Sequence, residues 1–413
     1  MAFEHRALEP DELGPAVWKV CKPDAPAPLR AMVARGLAPL GPRDLVVALY
    51  QLWVTNDPEL AELAAKSVSG LPPNILEGAL DVKELPAGVL DFLGRKLLQD
   101  AGMLARVVRH PAVHDQTLAG LARLCPEPIA DILAENQQRW LRCPAIVESL
   151  YENPNCRMSV VHRMLELAVR EGVELNLPNM EEIKLALGEE DAPADPERDS
   201  LFRTAAGGDV AQSHAQMVER MQQAGAADEI DLEARGDDGA SEVDFEGALD
   251  QENPDELSLP LEASEDASED PVDILAAARG GRLGVITKLK TMEKIRLALL
   301  GSAFERSVLI RDANKAVCMS VIKSPRVKEN EVVAYAANRS LSHDVVRYIA
   351  RRRDWAKLYS VKLNLVLNPK TPMSQAMGFL AHLHAHDVRK VAHSRNIPSA
   401  LAQAAKRKMQ QRR

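Results

Sequence analysis

Four histidines lie close together near the C-terminus, at His382, His384, His386 and His393. Histidines four residues apart share one helix face, so His382 and His386 could together bind a zinc ion. Asp387 is the only carboxylate near them in sequence, and no cysteine is close. Because a zinc site needs three or four ligands, we interpret this group as the solvated end of a helix.

The other residue types that carry chemistry are scattered. The five cysteines form no Cys-x-x-Cys pair, which favours buried thiols in a reducing compartment; they are Cys21, Cys125, Cys143, Cys156 and Cys318. The glycine-rich stretch at 280–284 lacks the lysine pattern and the preceding strand of a phosphate-binding loop. No Gly-x-Ser-x-Gly or His-Glu-x-x-His pattern occurs. The sequence therefore predicts a protein that is not an enzyme, with no catalytic residues, metal or other cofactor.

Charged residues divide the 413-residue chain into three unlike blocks. The overall net charge is −9, but residues 1–188 carry a net of −6, residues 189–273 a net of −23 and residues 274–413 a net of +20. The acidic block is poor in apolar residues and cannot bury enough surface to offset its chain entropy, so it is predicted to be a disordered linker. Within it, 200–223 has apolar residues at helical spacing, which indicates a transient helix or a motif that folds on a partner.

Composition and apolar spacing predict an all-α protein. Aromatic residues make up 4% of the chain, which disfavours large β-sheets. Apolar residues recur at i, i+3 and i+4 in both flanking blocks, as on the buried face of a helix. Three such stripes lie at 332–337, 345–350 and 358–366. In the N-terminal block, helices are predicted near 42–54, 57–67, 73–80, 86–99, 101–109, 115–123, 126–135, 144–151 and 157–171.

These patterns predict four parts of the chain: an irregular proline-rich segment at 1–41, a helical-repeat domain at 42–188, the linker at 189–273 and a basic helical-repeat domain at 274–413. No run of about 18 apolar residues is present, so no membrane span is expected. The first residues lack the apolar stretch of a secretory signal. We therefore expect a cytoplasmic protein without membrane contact.

Turn residues recur between the predicted helices. They include Ser-Pro-Arg at 324–326, Asn-Arg-Ser at 338–340 and Asn-Pro-Lys at 368–370, and Asn-Pro-Asn at 153–155 is a similar turn. Alternate turns are about 30 residues apart, the size of a two-helix repeat. These turns and short helices resemble the HEAT-like and leucine-rich-repeat-variant α-solenoids of bacteria, best over 291–405 and less closely over 42–171. The resemblance implies stacked helical hairpins with a binding surface and no fixed chemistry.

The basic block is the strongest functional signal. Its candidate partner-binding or phosphate-binding residues are the cations near turns and in the C-terminal tail: Arg326, Arg339, Arg351, Arg352, Arg353, Lys370, Arg395, Lys406, Arg407 and Lys408. In a stack of helical hairpins, alternate turns lie on opposite edges. Arg326 and 351–353 are then expected on one edge, and Arg339, Lys370 and Arg395 on the other.

Three anionic partners are open for this block. We expect a non-enzymatic interaction scaffold whose basic domain engages an acidic protein, since opposite charge steers association. The alternative is nucleic acid bound through its phosphate backbone. The chain's own acidic linker could also contact the basic domain and mask it, because tethering gives a high effective concentration.

Overall fold

The computed structural model describes residues 3–55, 57–189, 196–226, 281–394 and 396–411. The protein is all-α: no strand occurs in these ranges. The chain forms two compact units. The N-terminal unit comprises Met1–Leu177, Ala192–Asp199 and Gly208–Asp238, and the C-terminal unit comprises Pro178–Asp191, Ser200–Gly207 and Gly239–Arg413.

The N-terminal unit is a stack of short helices. Alternate helices pack against each other, α4 on α6, α6 on α8 and α8 on α10, as in a helical-repeat fold. The helices predicted between 42 and 171 are confirmed, with ends within three residues. The helices are α1 (Pro10–Leu13), α2 (Pro15–Cys21), α3 (Ala27–Ala34), α4 (Pro42–Val54), α5 (Pro58–Ser69), α6 (Pro73–Leu80), α7 (Ala87–Lys96), α8 (Ala101–Arg109), α9 (Asp115–Ala122), α10 (Glu127–Glu135), α11 (Gln137–Arg142), α12 (Ala145–Glu152) and α13 (Met158–Arg170).

The first 41 residues differ from the expected irregular segment, because α1, α2 and α3 lie there. Pro10 and Pro15 begin α1 and α2, and Pro28 lies in the first turn of α3. Proline is tolerated in the first helical turn, where its missing N–H has no intrahelical partner to lose. The prolines therefore start short helices in this segment.

Helix α4 is the centre of the N-terminal unit. Its residues 45–53 are buried on every side, so it is enclosed by its neighbours. The ring of Trp53 packs against that of Phe92, with centroids 4.7 Å apart, and Tyr50 lies beside both. At Gly88 an added Cβ would collide with the Tyr50 hydroxyl, so glycine is needed for this close approach.

Asp91 is a buried carboxylate next to this aromatic cluster. Arg95 Nε donates to Asp91 Oδ2 at 2.6 Å, and His5 Nε2 lies 3.1 Å from the same oxygen. Burial alone raises the pKa of Asp91, but the contacts with His5 and Arg95 outweigh it and hold that pKa below its ordinary value. The ionised form of Asp91 therefore stabilises the folded state.

The stability contribution of Asp91 should depend on pH. Its pKa is lower in the folded state than in the unfolded chain, so the contribution is complete above about pH 5 and is lost as the pH falls through the folded-state value. We expect the difference in unfolding free energy between wild type and Asp91→Asn, measured by urea denaturation, to narrow from pH 6 to pH 2. A difference that stays constant over this range would contradict the assignment.

The C-terminal unit is also a stack of short helices. Alternate helices pack in series, α17 on α19 and α19 on α21, and α20 packs on α23. The helices are α14 (Met180–Glu189), residues 200–207 of α15 (Pro196–Gln223), α16 (281–288), α17 (Thr291–Leu300), α18 (Ala303–Leu309), α19 (Lys315–Lys323), α20 (Glu329–Ala337), α21 (His343–Arg351), α22 (Arg353–Lys357), α23 (Tyr359–Leu367), α24 (Met373–Ala381), α25 (Ala385–His393) and α26 (Ser399–Gln411).

Two chain segments lie elsewhere than the sequence suggested. Helix α14, expected at the end of the N-terminal domain, packs on α17 and α19 in the C-terminal unit. Residues 196–223, expected within the linker, form two helical segments that meet at Gly207, whose φ is +70°. The rest of the expected linker, 227–273, and its expected contact with the basic domain lie outside the described residues.

Each part of α15 is buried in its own unit. In the C-terminal unit, Phe202 is 2% exposed and its ring lies 5.1 Å from the guanidinium of the buried Arg296. In the N-terminal unit, the buried Lys96 donates from Nζ to the carbonyls of Gln222 and Ala224 at the end of α15. A lysine at a helix C-terminus binds carbonyls that have no intrahelical donor. Long-range contacts therefore fix a segment whose local composition is polar.

The turns between helices share one hydrogen bond. The side chain of the first turn residue accepts from the backbone N–H two residues later, which closes the turn locally. This bond joins His110 to Ala112, Asn153 to Asn155, Asp312 to Asn314, Ser324 to Arg326, Asn338 to Ser340, and Asn368 to Lys370. The similarity between the turns at 153–155 and 368–370 thus has a shared geometry.

Asn153 and Asn368 also bind the equivalent turn one two-helix repeat earlier. Both are buried, and Asn368 Nδ2 donates to the carbonyls of Ala336 at 3.0 Å and Asn338 at 3.1 Å. Asn153 Nδ2 does the same with Ala122 and Cys125 at 2.8 and 2.9 Å. Each asparagine therefore links turns about 30 residues apart within its own unit.

A buried ion pair lies inside the C-terminal unit. Arg306 of α18 donates to both carboxylate oxygens of Glu331 in α20, at 2.9 and 2.7 Å, and both side chains are 1% exposed. Arg306 also donates to the Gly301 carbonyl, and the Tyr335 hydroxyl donates to Glu331.

Every described helix is too short or too polar to cross a bilayer.

Candidate interaction surface

Arg351, Arg352 and Arg353 lie where α21 meets α22. Helix α21 buries Val345, Val346, Ile349 and Ala350 on one face. Arg352 has an extended backbone (φ −77°, ψ 113°) and is both the C-cap of α21 and the N-cap of α22. Because no loop separates the two helices, three consecutive arginine side chains leave the chain at one sharp corner.

Arg352 stacks on an aromatic pair at this corner. Its guanidinium carbon lies 4.6 Å from the centroid of the Trp355 ring, and Nη1 donates to the Tyr348 hydroxyl at 3.5 Å. The Tyr348 and Trp355 rings are 6.1 Å apart and inclined by 65°. Both rings are only half-buried. Stacking on a ring orders the guanidinium plane while leaving its N–H groups available.

The charges around the corner do not cancel. Arg351, Arg352 and Arg353 are exposed, and within the described ranges no carboxylate lies within ion-pair distance of them. The acidic residues nearest in sequence form ion pairs with other cations. Asp344 pairs with Lys315 and lies 4.0 Å from Arg347, and Asp354 pairs with Lys357. The corner therefore carries uncompensated positive charge.

Three of the other candidate cations bind the protein's own backbone. Lys370 Nζ donates to the carbonyls of Ser340 and Leu341, at 2.9 and 2.5 Å. Arg326 donates to the carbonyls at residues 300 and 301, and Lys408 to those at residues 380 and 381. Arg326 and Lys408 bind carbonyls at the C-terminal ends of α17 and α24, which have no intrahelical donor, and Lys370 binds carbonyls of the turn before α21.

The remaining candidates are placed separately. Arg339, Lys406 and Arg407 are exposed. Lys370 donates to the carbonyl of Ser340, which directly follows Arg339, so Lys370 contacts the turn that contains Arg339. Arg326 is instead held at the turn after α17. Arg395 lies outside the described residues.

The histidine group surrounds a small hydrogen-bonded cluster. The Tyr359 hydroxyl donates to Asp387 Oδ2 at 2.5 Å and accepts from the backbone N–H of His384, whose ring stacks on Tyr359. Lys390 and His386 also approach Asp387. The hydrogen bond from Tyr359, followed by the contacts with Lys390 and His386, holds the pKa of Asp387 below its ordinary value. In the part of the chain that the structure describes, no three His, Cys, Asp or Glu side chains are placed to hold a metal ion.

The cysteines form no disulfide in the described part of the chain, and four of the five are buried. Desolvation raises the pKa of Cys21 to about 12, and it also raises the pKa values of Cys125, Cys143 and Cys318. A thiol nucleophile needs a lowered pKa. These environments are typical of structural cysteines.

Sequence reasoning missed two features. The aromatic residues 348 and 355 lie at helical spacing, but both rings are partly exposed beside Arg352. Arg306 contributes to the positive net charge of 274–413, but it is buried against Glu331 and adds no charge to the surface. The short spacing from Tyr348 to Trp355 across an arginine run is a sequence signal that could have indicated the first.

No protein-family model, curated protein or solved structure matches this chain. Its fold and surface define an all-helical protein of two units, with an exposed cluster of arginines on the second. The turn geometry is compatible with helical repeats in both units.

Proposed function

We propose that this protein is a non-enzymatic interaction scaffold of the HEAT-like or leucine-rich-repeat-variant α-solenoid class, acting in the bacterial cytoplasm. Its C-terminal unit engages an acidic protein surface. The observation that carries the proposal is the corner at 351–353, where three exposed arginines have no carboxylate partner in the described structure. An acidic partner supplies the missing charge.

Physical chemistry favours this use of the corner. Three adjacent like charges repel each other, and that repulsion falls when an anion binds. Arginine presents a planar set of donors that fits a carboxylate at two points. Arg352 is already ordered by Trp355 and Tyr348, so less side-chain entropy is lost on binding. The free thiols agree with a reducing compartment.

Nucleic acid is the second candidate, favoured by the half-buried Trp355 and Tyr348 rings. Proteins that bind single strands combine a basic surface with aromatic rings on which bases stack. A nucleic acid would contact phosphate through the arginines and a base through Trp355. An acidic polypeptide would use the arginines and depend less on the ring.

Binding of labelled poly-glutamate and of a labelled oligothymidine by the full chain tests both candidates. We expect Arg351, Arg352 and Arg353 changed together to glutamine to weaken poly-glutamate binding about tenfold, since exposed ion pairs contribute up to about 1 kcal/mol each. A matched control changes three exposed arginines of the N-terminal unit, Arg35, Arg109 and Arg163, to glutamine. Equal poly-glutamate affinity for the two triple variants would refute the proposal.

A third variant separates the two partner classes. Trp355→Leu removes the ring and keeps all three arginines. If oligothymidine binds tightly and Trp355→Leu abolishes that binding while poly-glutamate binding is weak, nucleic acid replaces acidic protein as the assigned partner. Tight poly-glutamate binding that survives Trp355→Leu supports the acidic-protein assignment.

A further inference from the structure

Residues 3–9 of the N-terminal unit lie against its helices as an extended peptide. They have neither helical nor strand pairing, and Leu8 is buried while Glu4, Arg6 and Ala7 are exposed. The side chains of Phe3, His5 and Leu8 thus face the helices while those between them face solvent, as in a peptide bound along a groove.

His5 is the deepest anchor of this segment. Its side chain is 1% exposed, and its Nε2 lies 3.1 Å from Asp91 Oδ2. Its ring meets the edge of Trp53, with centroids 4.7 Å apart at 82°, and Tyr50 lies 6.0 Å away. Phe3 packs edge-on against His114 at the start of α9. The His5 imidazole is thus enclosed by the Asp91 carboxylate and by the rings of Trp53 and Tyr50.

The helices also bind the backbone of this segment. Tyr50 Oη donates to the carbonyl of Arg6 at 3.0 Å, and Gln51 Oε1 accepts from the N–H of Leu8 at 2.9 Å. Gln51 is only 8% exposed, and Tyr50 keeps its position because Gly88 has no side chain. Side chains that bind a peptide backbone hold an extended segment whatever its exposed residues are.

This groove is built with polar groups that need an occupant. Without the segment, the Tyr50 hydroxyl and the Gln51 amide oxygen would lose the partners they have in residues 6 and 8, and Asp91 would lose His5. Removing the segment would expose these groups to water, so the groove favours a peptide that both covers the aromatic rings and supplies the same hydrogen-bond partners. Such a preformed set of groups would bind the same pattern when another chain supplies it.

We propose that the groove formed by α4, α7 and the start of α9 is a peptide-binding site, which this chain's residues 3–9 occupy. Its ligand is an extended peptide of another protein that carries an aromatic residue, a histidine two residues later and a leucine three residues after that. The segment at 3–9 competes with this ligand. The site is in the N-terminal unit and is independent of the arginine corner.

The test uses the full chain with its own segment weakened by Phe3→Ser, His5→Ser and Leu8→Ser. The probe is a labelled synthetic peptide with the sequence of residues 3–9, followed by fluorescence anisotropy. We expect this triple variant to bind the peptide at least tenfold more tightly than wild type does, because its own segment no longer competes. A peptide with alanine in place of histidine should bind at least tenfold more weakly.

Four results would overturn the proposal, three from the triple variant and one from wild type. The first is a triple variant with wild-type circular dichroism that binds no peptide, and the second is equal binding by wild type and variant. The third is loss of helical signal in the triple variant, which makes the segment an integral part of the core. Hydrogen exchange of wild type gives a check without substitution: the Leu8 amide should exchange at least 100-fold faster than the amides of 46–50, and equal rates would also overturn the proposal.

Discussion

Replacing Arg306 by methionine is expected to lower the unfolding free energy of the C-terminal unit by about 3–5 kcal/mol. The substitution removes both hydrogen bonds to Glu331 and the one to Gly301. Glu331 is 1% exposed, so its carboxylate would stay buried with its charge no longer balanced. The cost is that of an uncompensated buried charge, which exceeds the net value of the ion pair itself.

Urea denaturation of the full chain, with hydrogen exchange read from peptides of the C-terminal unit, measures this cost. Arg306→Met combined with Glu331→Met should be less destabilised than the sum of the two single variants by at least 2 kcal/mol, since neither charge then remains alone. Lys357→Met is the matched control, because its pair with Asp354 is exposed on both sides and should cost less than about 1 kcal/mol. Equal costs for Arg306→Met and Lys357→Met would show that the buried pair has no special weight.

Asn368→Ala should be the next most damaging of these changes, lowering the unfolding free energy by about 2–4 kcal/mol. It removes the two bonds from Nδ2 to the carbonyls of Ala336 and Asn338 and the bond accepted from the N–H of Lys370. Each lost hydrogen bond costs about 1 kcal/mol, and the buried carbonyl of Ala336 loses a donor. Thermal or urea denaturation with regional hydrogen exchange measures the effect.

Asn338 supplies the control for this prediction. Its side chain makes the same local bond, accepting from the N–H and hydroxyl of Ser340, but its turn is exposed. Asn338→Ala should therefore cost less than about 1 kcal/mol. If the two alanine variants are destabilised equally, the bonds to the turn one repeat earlier contribute nothing to stability beyond the local turn bond.

Local sequence was sufficient for the helices described between 42 and 171 except the short α11 (Gln137–Arg142), which was not predicted. Their ends lie at prolines and at capping residues such as Asp57 and Asp100, whose side chains accept from the backbone within their own first turn. Asn-Pro turns were recognisable for the same reason. The proline-rich start of the chain was misjudged because proline was treated as a helix breaker, although it begins α1 and α2.

Features that depend on distant residues could not be predicted. Phe202 is buried because Arg296 lies beside it, and nothing in 196–223 indicates that contact. Among the candidate cations, Arg351 and Lys370 look alike in sequence. One is exposed, and the other binds carbonyls about 30 residues earlier. The groove around His5 joins three separate helices, so its parts are recognisable only together.

The bonds from Asn153 and Asn368 to the turn one two-helix repeat earlier also limit how the chain can change in length. Each amide must reach carbonyls that lie about 30 residues earlier, so an inserted residue in either intervening helix would shift the asparagine away from them. Insertions and deletions should therefore be tolerated only at exposed turns that neither donate nor accept such a bond. Between the linked turns, a whole two-helix repeat is the smallest unit that can be gained or lost with the geometry preserved.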